Sequence, residues 1–348
     1  MRVLLVKMSS LGDVVHALPA VTDAAAHGIE FDWVVEEAFA DIPARHPAVA
    51  SVIPIGWRRW RHALVANRGE IRDFVSRLRS RQYDLVLDAQ GLIKSGVVAG
   101  LARGRGKAGL SPQAAREGAA ALFYERRFRI PTGQHAVDRV RQLFASAFGY
   151  TLSNGVDFGI SGARAEGGPG ADDGACVLLH GTTWDSKHYP EAMWTALANQ
   201  AAQAGLSVAV PWGDESERAR ARRIAAASGA TVWERSSLAV LMDRLQRAAL
   251  VIGVDSGLAH LAAALSVPTT VIYGSTDSVL TGARGLRVAN LQAEFSCAPC
   301  LQRSCSYVGN DAQWRGEAVQ PPCYSRVAPE DVWRAATEVM DADRVLSI

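Results

Sequence analysis

The chain has 348 residues, enough for two domains that each bury a core of their own. With 49% hydrophobic and 21% charged residues it has the composition of a soluble globular protein, and no run approaches the ~20 apolar residues a membrane span needs. A formal net charge of +2 excludes bulk binding to nucleic acid, so an anionic partner has to be met by a local patch, and five cysteines, an odd number, do not make a secreted disulfide framework.

Arg2 to Val6 is an apolar strand, too short and too soon followed by polar residues for a signal peptide, which points to a cytoplasmic chain. Lys7-Met-Ser-Ser-Leu-Gly-Asp13 follows it, and a helix is expected over Val14 to Ala26. A carboxylate at a helix start is favoured by the helix dipole, and the same Asp13 can serve as a general base. The two roles pull apart, because the dipole lowers the pKa while a base for a hydroxyl gains from a raised one. A second strand is expected over Ile29 to Val35. Trp57-Arg-Arg-Trp-Arg-His62 is a basic, aromatic cluster: Arg58, Arg59 and Arg61 can grip carboxylates or phosphates, and Trp57 and Trp60 suit a membrane-water boundary. Arg126, Arg127 and Arg129 are candidates to extend it. Tyr83 to Asp88 is a further strand, running into Ala89-Gln-Gly-Leu-Ile-Lys-Ser95 and a helix. Gly104-Arg-Gly-Lys-Ala-Gly109 matches a dinucleotide-binding fingerprint but follows a helical segment instead of a strand, and is discarded.

Residues 161–174, rich in Gly, Ala and acid and without apolar period, read as an interdomain linker between domains at 1–160 and 175–328, with a last helix from Pro329 to Val345 in the terminal segment 329–348. Beyond the linker strand and helix alternate again: Cys176 to His180, Glu191 to Ala204, Ser207 to Pro211, Ser216 to Ser228, a strand near Thr231, Leu238 to Arg247, Leu250 to Val254, and Thr269 to Tyr273. This alternation predicts an α/β fold of two doubly wound parallel sheets, whose strand ends would face each other across a cleft. Leu85-Val-Leu-Asp-Ala-Gln-Gly faintly echoes Ile252-Gly-Val-Asp-Ser-Gly, as duplicated architecture would.

Three strand-exit loops of the second half carry polar chemistry. Thr182, Thr183 and Lys187 offer hydroxyls, N–H groups and a mobile charge for phosphate; Trp212, Gly213 and Glu217 offer a turn and a carboxylate for ribose hydroxyls. Asp255-Ser256-Gly257, with His260 one turn on, opens a helix whose N-terminus attracts an anion. Each loop alone is consistent with ordinary capping or solvation; together they read as a nucleotide-diphosphate pocket. Cys297, Cys300, Cys305 and Cys323 are a possible structural metal cluster, the first pair having zinc-ligand spacing, while no catalytic metal is expected. Asp341-Ala-Asp343 resembles a transferase metal pair but ends the terminal helix, and is set aside.

On Lys7 to Pro19, Thr182-Thr183 with Lys187-His188, Pro211-Trp-Gly213 with Glu217, and Asp255 to His260, the chain resembles the lipopolysaccharide heptosyltransferases, glycosyltransferase family 9, over nearly its whole length. The Met-Ser-Ser form of the first motif and Trp57-Arg-Arg-Trp60 favour the branch that adds the first heptose. The resemblance implies a GT-B fold and inverting, metal-independent transfer of L-glycero-D-manno-heptose from ADP-heptose to the inner Kdo of Kdo2-lipid A, without a cofactor. It implies Asp13 as catalytic base and Lys187, Thr182 and Thr183 as phosphate contacts. Glu217 would hold the ribose within a donor site that includes Trp212 and Gly213, Asp255 the donor sugar, and Ser256, Gly257 and His260 the diphosphate. Ser10, Gly12, Arg58, Arg59, Arg61, His62 and Lys94 fall on the acceptor side. The enzyme would dock peripherally on the cytoplasmic face of the inner membrane. Transfer of the second heptose, another core transferase of this fold, an oxidoreductase and a non-enzymatic glycolipid binder are the rival expectations, and the oligomeric state is left open.

Overall fold

A computed structural model describes residues 1–161, 173–309 and 312–342. Nearly all of the expected linker, and residues 343–345 of the expected last helix, lie outside the described residues. The chain divides into two compact units, Met1–Ala163 and Arg164–Ile348.

The first unit runs β1 (Arg2–Val6), α1 (Leu11–Ala25), β2 (Glu30–Glu36), α2 (Asp41–Ala44), β3 (Val49–Ile55), α3 (Trp57–Trp60), α4 (Arg68–Leu78), β4 (Leu85–Asp88), α5 (Ile93–Leu101), β5 (Lys107–Leu110), β6 (Arg126–Phe128) and α6 (Ala136–Phe148). Its six strands, all parallel, lie in the order β3-β2-β1-β4-β5-β6. The second unit runs β7 (Cys176–Leu179), α7 (Glu191–Gln203), β8 (Val208–Val210), α8 (Glu215–Ser228), β9 (Thr231–Val232), α9 (Leu238–Gln246), β10 (Leu250–Val254), α10 (Gly257–Ala264), β11 (Thr269–Tyr273), α11 (Ser278–Thr281), β12 (Val288–Gln292), the small antiparallel pair β13 (Gln313–Trp314) and β14 (Glu317–Ala318), and α12 (Pro329–Asp341). Its main sheet is again parallel, in the order β12-β11-β10-β7-β8-β9.

Counted from the first strand of each unit, the two orders are the same doubly wound order. The central strands are continuous apolar runs because helices cover both faces; Val3 to Val6 and Leu250 to Ile252 are fully buried. In such a sheet the chain leaves the first and fourth strands toward opposite sides, and the crevice outside their carboxyl ends receives ligands. The crevice falls between β1 and β4 in one unit and between β7 and β10 in the other.

α1 begins at Leu11, three residues before the apolar pattern does, because a polar first turn closes it: Ser10 caps the helix and its N–H and hydroxyl donate to Asp13 Oδ2 at 2.9 and 2.8 Å. Asp13 is thus inside the helix and not ahead of it. The discarded Gly104–Gly109 motif runs into β5, with no helix following it directly. α6 packs on α1, and its buried Arg141 donates to Asp23 Oδ2 and Oδ1 at 2.6 and 3.1 Å and to the Ser153 carbonyl at 3.0 Å. Asp23→Ala leaves the guanidinium buried without its carboxylate, and the expected cost is about 3–5 kcal/mol of unfolding free energy, read from urea denaturation beside the unaltered protein.

Candidate functional site

In the first unit the crevice holds a cavity of about 390 Å³ lined by Lys7, Asp13, His16, Gln90, Arg116 and Arg139 among others. Lys7 follows β1 directly with its side chain almost wholly buried, and its Nζ lies 3.3 Å from Asp13 Oδ1. The Asp13 side chain is 48% exposed toward the cavity. Burial pushes this carboxyl up, but Lys7, the Ser10 N–H, His16 and the Ser10 hydroxyl together outweigh it and hold it well below the usual carboxylate range. Dipole and cation therefore settle the tension noted in the sequence on the low side: Asp13 is an anion at neutral pH, ready to accept a proton.

The basic cluster is only partly where its sequence suggested. Trp60 is buried against Phe74 with its indole N–H on Glu70 and so serves the interior, whereas Trp57 packs on the same core while remaining partly exposed. Arg59 is held by Glu37 and Glu70 at 3.1 and 2.7 Å. Arg58 lies over the Phe39 ring, and Arg61 donates to His62. Arg58 and Arg61 do approach Lys94, whose ammonium burial and their charges push down. Arg126 and Arg127 do not join this patch. They lie on β6, at the opposite sheet edge from the strand that leads into α3, five strand spacings or about 24 Å away.

In the second unit Asp255 ends the approach from β10 and is buried. Its Oδ2 accepts from Lys187 Nζ at 2.6 Å and Thr276 Oγ1 at 2.7 Å, and its Oδ1 lies 3.1 Å from His260 Nε2. Burial raises the Asp255 carboxyl, but His260 and Lys187 overcome it and hold the group well below the carboxylate range. Lys187 also lies over the Trp184 ring at 4.6 Å. Ser256 caps α10 through its hydroxyl, which accepts from the Ala259 N–H, and Gly257 opens the helix. Thr182 donates to the Asp255 carbonyl at 3.4 Å, whereas Thr183 is exposed.

Beside them a smaller cavity of about 240 Å³ is lined by Gly181, Trp212, Gly213, Glu217, Leu241 and Leu258 among others. Glu217 Oε2 accepts the Gly213 N–H at 2.6 Å, and a Cβ at Gly181 would sit 2.5 Å from Glu217 Oε1. Only a glycine lets that carboxylate lie across the β7 exit. The cap of α8 is Asp214, which accepts from the Glu217 N–H. Apolar leucines on one side and a tryptophan with a carboxylate on the other suit a base and a ribose.

Cys297, Cys300, Cys305 and Cys323 are free thiols that lie near one another, burial and the other three thiols pushing Cys323 up, and among the described residues no three His, Cys, Asp or Glu side chains are arranged to hold a metal ion. Of the Asp341–Asp343 pair, Asp343 lies outside the described residues. Sequence reasoning passed over Gln90, Arg116, Arg139 and Thr276. Gln90 and Thr276 follow strand ends as the recognised residues do, and that position was the available signal; Arg116 and Arg139 come from a loop and a helix that no motif marks.

Two doubly wound sheets, with a carboxylate and a lysine at the switch point of each, have the architecture of the GT-B class. The model of "Glycosyltransferase family 9 (heptosyltransferase)" matches residues 71–309. The chain is 49% identical to the lipopolysaccharide heptosyltransferase 1 of Pseudomonas aeruginosa, over 97% of both chains. It is 45% identical to that of Escherichia coli K12, over 82% of this chain and 91% of the other. The E. coli heptosyltransferase WaaC solved with ADP superposes with a TM-score of 0.80 at 44% identity, covering 84% of this chain and 94% of that one. E. coli heptosyltransferase II, at 16% identity, 99% and 100% coverage and a TM-score of 0.75, shares the fold. The chain belongs to glycosyltransferase family 9, the heptosyltransferases.

Because Asp255 titrates lower in the folded chain than its unfolded value of about 3.9, the stability it contributes is complete above that value and is lost as pH falls through the folded one. Lys187→Met removes one partner of the buried pair, and its expected cost is about 3 kcal/mol at neutral pH, shrinking as pH falls below about 4. Urea denaturation of both proteins at neutral and acid pH measures the difference.

Proposed function

We propose that the protein transfers L-glycero-D-manno-heptose from ADP-heptose to the inner Kdo of Kdo2-lipid A, with inversion and without a metal. The observation that carries this reading is the Lys7–Asp13 pair at the mouth of the first cavity, an ionised carboxylate with one face open. The 49% identity with a lipopolysaccharide heptosyltransferase 1 supports a heptose donor and a lipopolysaccharide acceptor, and the relative solved with ADP supports the nucleotide.

In this reading a Kdo hydroxyl enters the first cavity and Asp13 accepts its proton as the oxygen attacks the anomeric carbon. Arg116 and Arg139, with Arg58, Arg61 and Lys94 nearer the basic cluster, meet the acceptor's carboxylates and phosphates. Ser10 and Gly12 shape the turn beside the attacking oxygen. Arg59 and His62 belong to the same face, with Arg59 already engaged by Glu37 and Glu70.

ADP lies on the second unit. Glu217 takes the ribose hydroxyls, and Trp212 and Gly213 border the nucleoside. The departing diphosphate meets the N-terminus of α10 at Ser256 and Gly257, the Thr182 and Thr183 loop, and Lys187. Asp255 accepts one of the three hydrogens Lys187 carries, which leaves two for phosphate oxygens. His260, turned onto Asp255, holds that carboxylate where the donor sugar and Lys187 need it. Fixed positive groups stabilise the negative charge that grows on the leaving ADP, the task a divalent ion performs elsewhere. Among the described residues no helix is long and apolar enough to cross a membrane, and the exposed arginines of the basic cluster, with the partly exposed Trp57, support docking on the inner membrane.

The test is acceptor-dependent release of ADP by the purified protein given ADP-heptose and Kdo-bearing lipid A, with EDTA present. Release is expected to survive EDTA and to fall about 10²–10⁴-fold in Asp13→Asn. Release only with an already heptosylated acceptor would assign the second heptose, and a variant near full rate would make Asp13 a helix residue alone. Gly181→Ala, which displaces Glu217, is expected to weaken ADP binding about tenfold by calorimetric titration while leaving acceptor binding intact.

A further inference from the structure

Gln90 has no part in the reaction described so far. It lies two residues beyond β4, nearly buried, and both ends of its amide are spent on the loop leaving β1. Its Oε1 accepts the Met8 N–H at 2.7 Å, and its Nε2 donates to Ser9 Oγ at 3.2 Å. Gln90 is itself anchored from behind. Its N–H and that of Gly91 donate to Asp88 Oδ1 at 2.8 and 3.2 Å, and the Tyr124 hydroxyl donates to Asp88 Oδ2 at 2.5 Å. Asp88 is wholly buried, so this carboxylate cannot turn away to water. The loop it reaches is the one that sets Asp13: Lys7 precedes Met8, and Ser10, which follows Ser9, donates its N–H and hydroxyl to Asp13 Oδ2. A single acceptor would satisfy the buried Met8 N–H. An amide bonded to two successive residues fixes the direction of the loop as well.

We infer that Gln90 is a positioning residue for Asp13, holding the Met8–Ser10 loop so that the carboxylate faces Lys7 on one side and the cavity on the other. The inference rests on the reading of Asp13 as the base. Asp88, held by Tyr124, fixes the backbone of Gln90, and the Gln90 side chain carries that rigidity from the exit of β4 to the loop, whose other side is held by the Glu36 N–H of β2 donating to the Met8 carbonyl at 3.0 Å.

The experiment is steady-state kinetics of the full chain carrying Gln90→Leu, Gln90→Glu or Ser9→Ala, with ADP-heptose and Kdo-bearing lipid A, beside melting curves. Gln90→Leu keeps the shape and removes both bonds. It is expected to lower kcat about 10- to 100-fold with the KM for ADP-heptose within about twofold, and to move the acid limb of kcat/KM upward as Asp13 loses its alignment with Lys7 and the Ser10 N–H. Gln90→Glu, ionised at about pH 8, accepts from Met8 and from the Ser9 hydroxyl, and is expected to keep at least about a third of kcat. Ser9→Ala removes one arm outside the core and also frees Lys94 Nζ, which donates to the same hydroxyl at 3.4 Å, so Lys94→Met is run beside it; a several-fold loss of kcat in Ser9→Ala at an unchanged melting temperature, not reproduced by Lys94→Met, decides the matter if Gln90→Leu does not fold. Full kcat per folded molecule in Gln90→Leu, or in Ser9→Ala where the former is unfolded, overturns the inference, as does a Gln90→Glu as impaired as Gln90→Leu. An Asp13→Asn variant near full rate would instead remove the base itself. Inactive Asp13→Asn beside fully active Gln90→Leu removes only the positioning role.

Discussion

A carboxylate buried at the end of the fourth strand organises the loops around the crevice of each unit. Such a group cannot stay ionised in the interior without donors, so the chain around it has to supply them. Asp255 gathers Lys187 from the exit of β7, Thr276 from the exit of β11 and His260 from α10, which draws three loops and a helix onto one point. Asp88 gathers the Gln90 and Gly91 N–H groups and the Tyr124 hydroxyl. In both units the group lies beside the first strand, at the switch point where a doubly wound sheet opens. The fold supplies the crevice, and the buried charge decides which side chains line it.

The two carboxylates differ in their partners, and the difference suits different work. Burial pushes Asp88 up, and every partner it has is a neutral donor; with no cation beside it, it is a structural anchor. Asp255 has a lysine and a histidine beside it, which hold it ionised. In the proposed reaction the first unit has to remove a proton and the second has to receive negative charge. Cation chemistry belongs in the second, and Lys7 in the first acts only to keep Asp13 ionised.

Much of this could be read from the chain. The central strands were legible because burial on both faces demands unbroken apolar runs, and the polar residues at their ends stood out against those runs. β5 and β6 were not legible: they are three or four residues long, and Lys107, Arg126 and Arg127 give them no apolar period. The first turn of α1 was missed because capping is polar, so the hydrophobic period starts only at Val14. Trp60 was misplaced because an arginine-rich neighbourhood looks exposed, whereas the arginines take the surface and its indole the core. The four cysteines do come near one another, but among the described residues no three side chains are arranged as ligands to one ion. Gln90 was quoted within a strand-exit motif and given no role, since only the positions of Met8 and Ser9 reveal what its amide does.

A base held so far below the usual carboxylate range looks poorly matched to a sugar hydroxyl, whose proton is held far more tightly. The mismatch constrains the timing of the proposed transfer. Asp13 cannot deprotonate the hydroxyl in advance, because a free alkoxide beside so weak a base would take the proton back. It becomes a competent acceptor only when bond formation to the anomeric carbon has made the hydroxyl acidic, so proton transfer has to accompany attack. That in turn requires the leaving group to depart early, generating a carbon electrophilic enough to draw the oxygen in. The positive groups around Lys187 and the α10 N-terminus serve that departure, and the low pKa of Asp13 is affordable because of them. Weak base in one unit and strong anion stabilisation in the other are then two parts of one mechanism, with the rigidity of the Met8–Ser10 loop keeping the weak base in line at the moment it is needed.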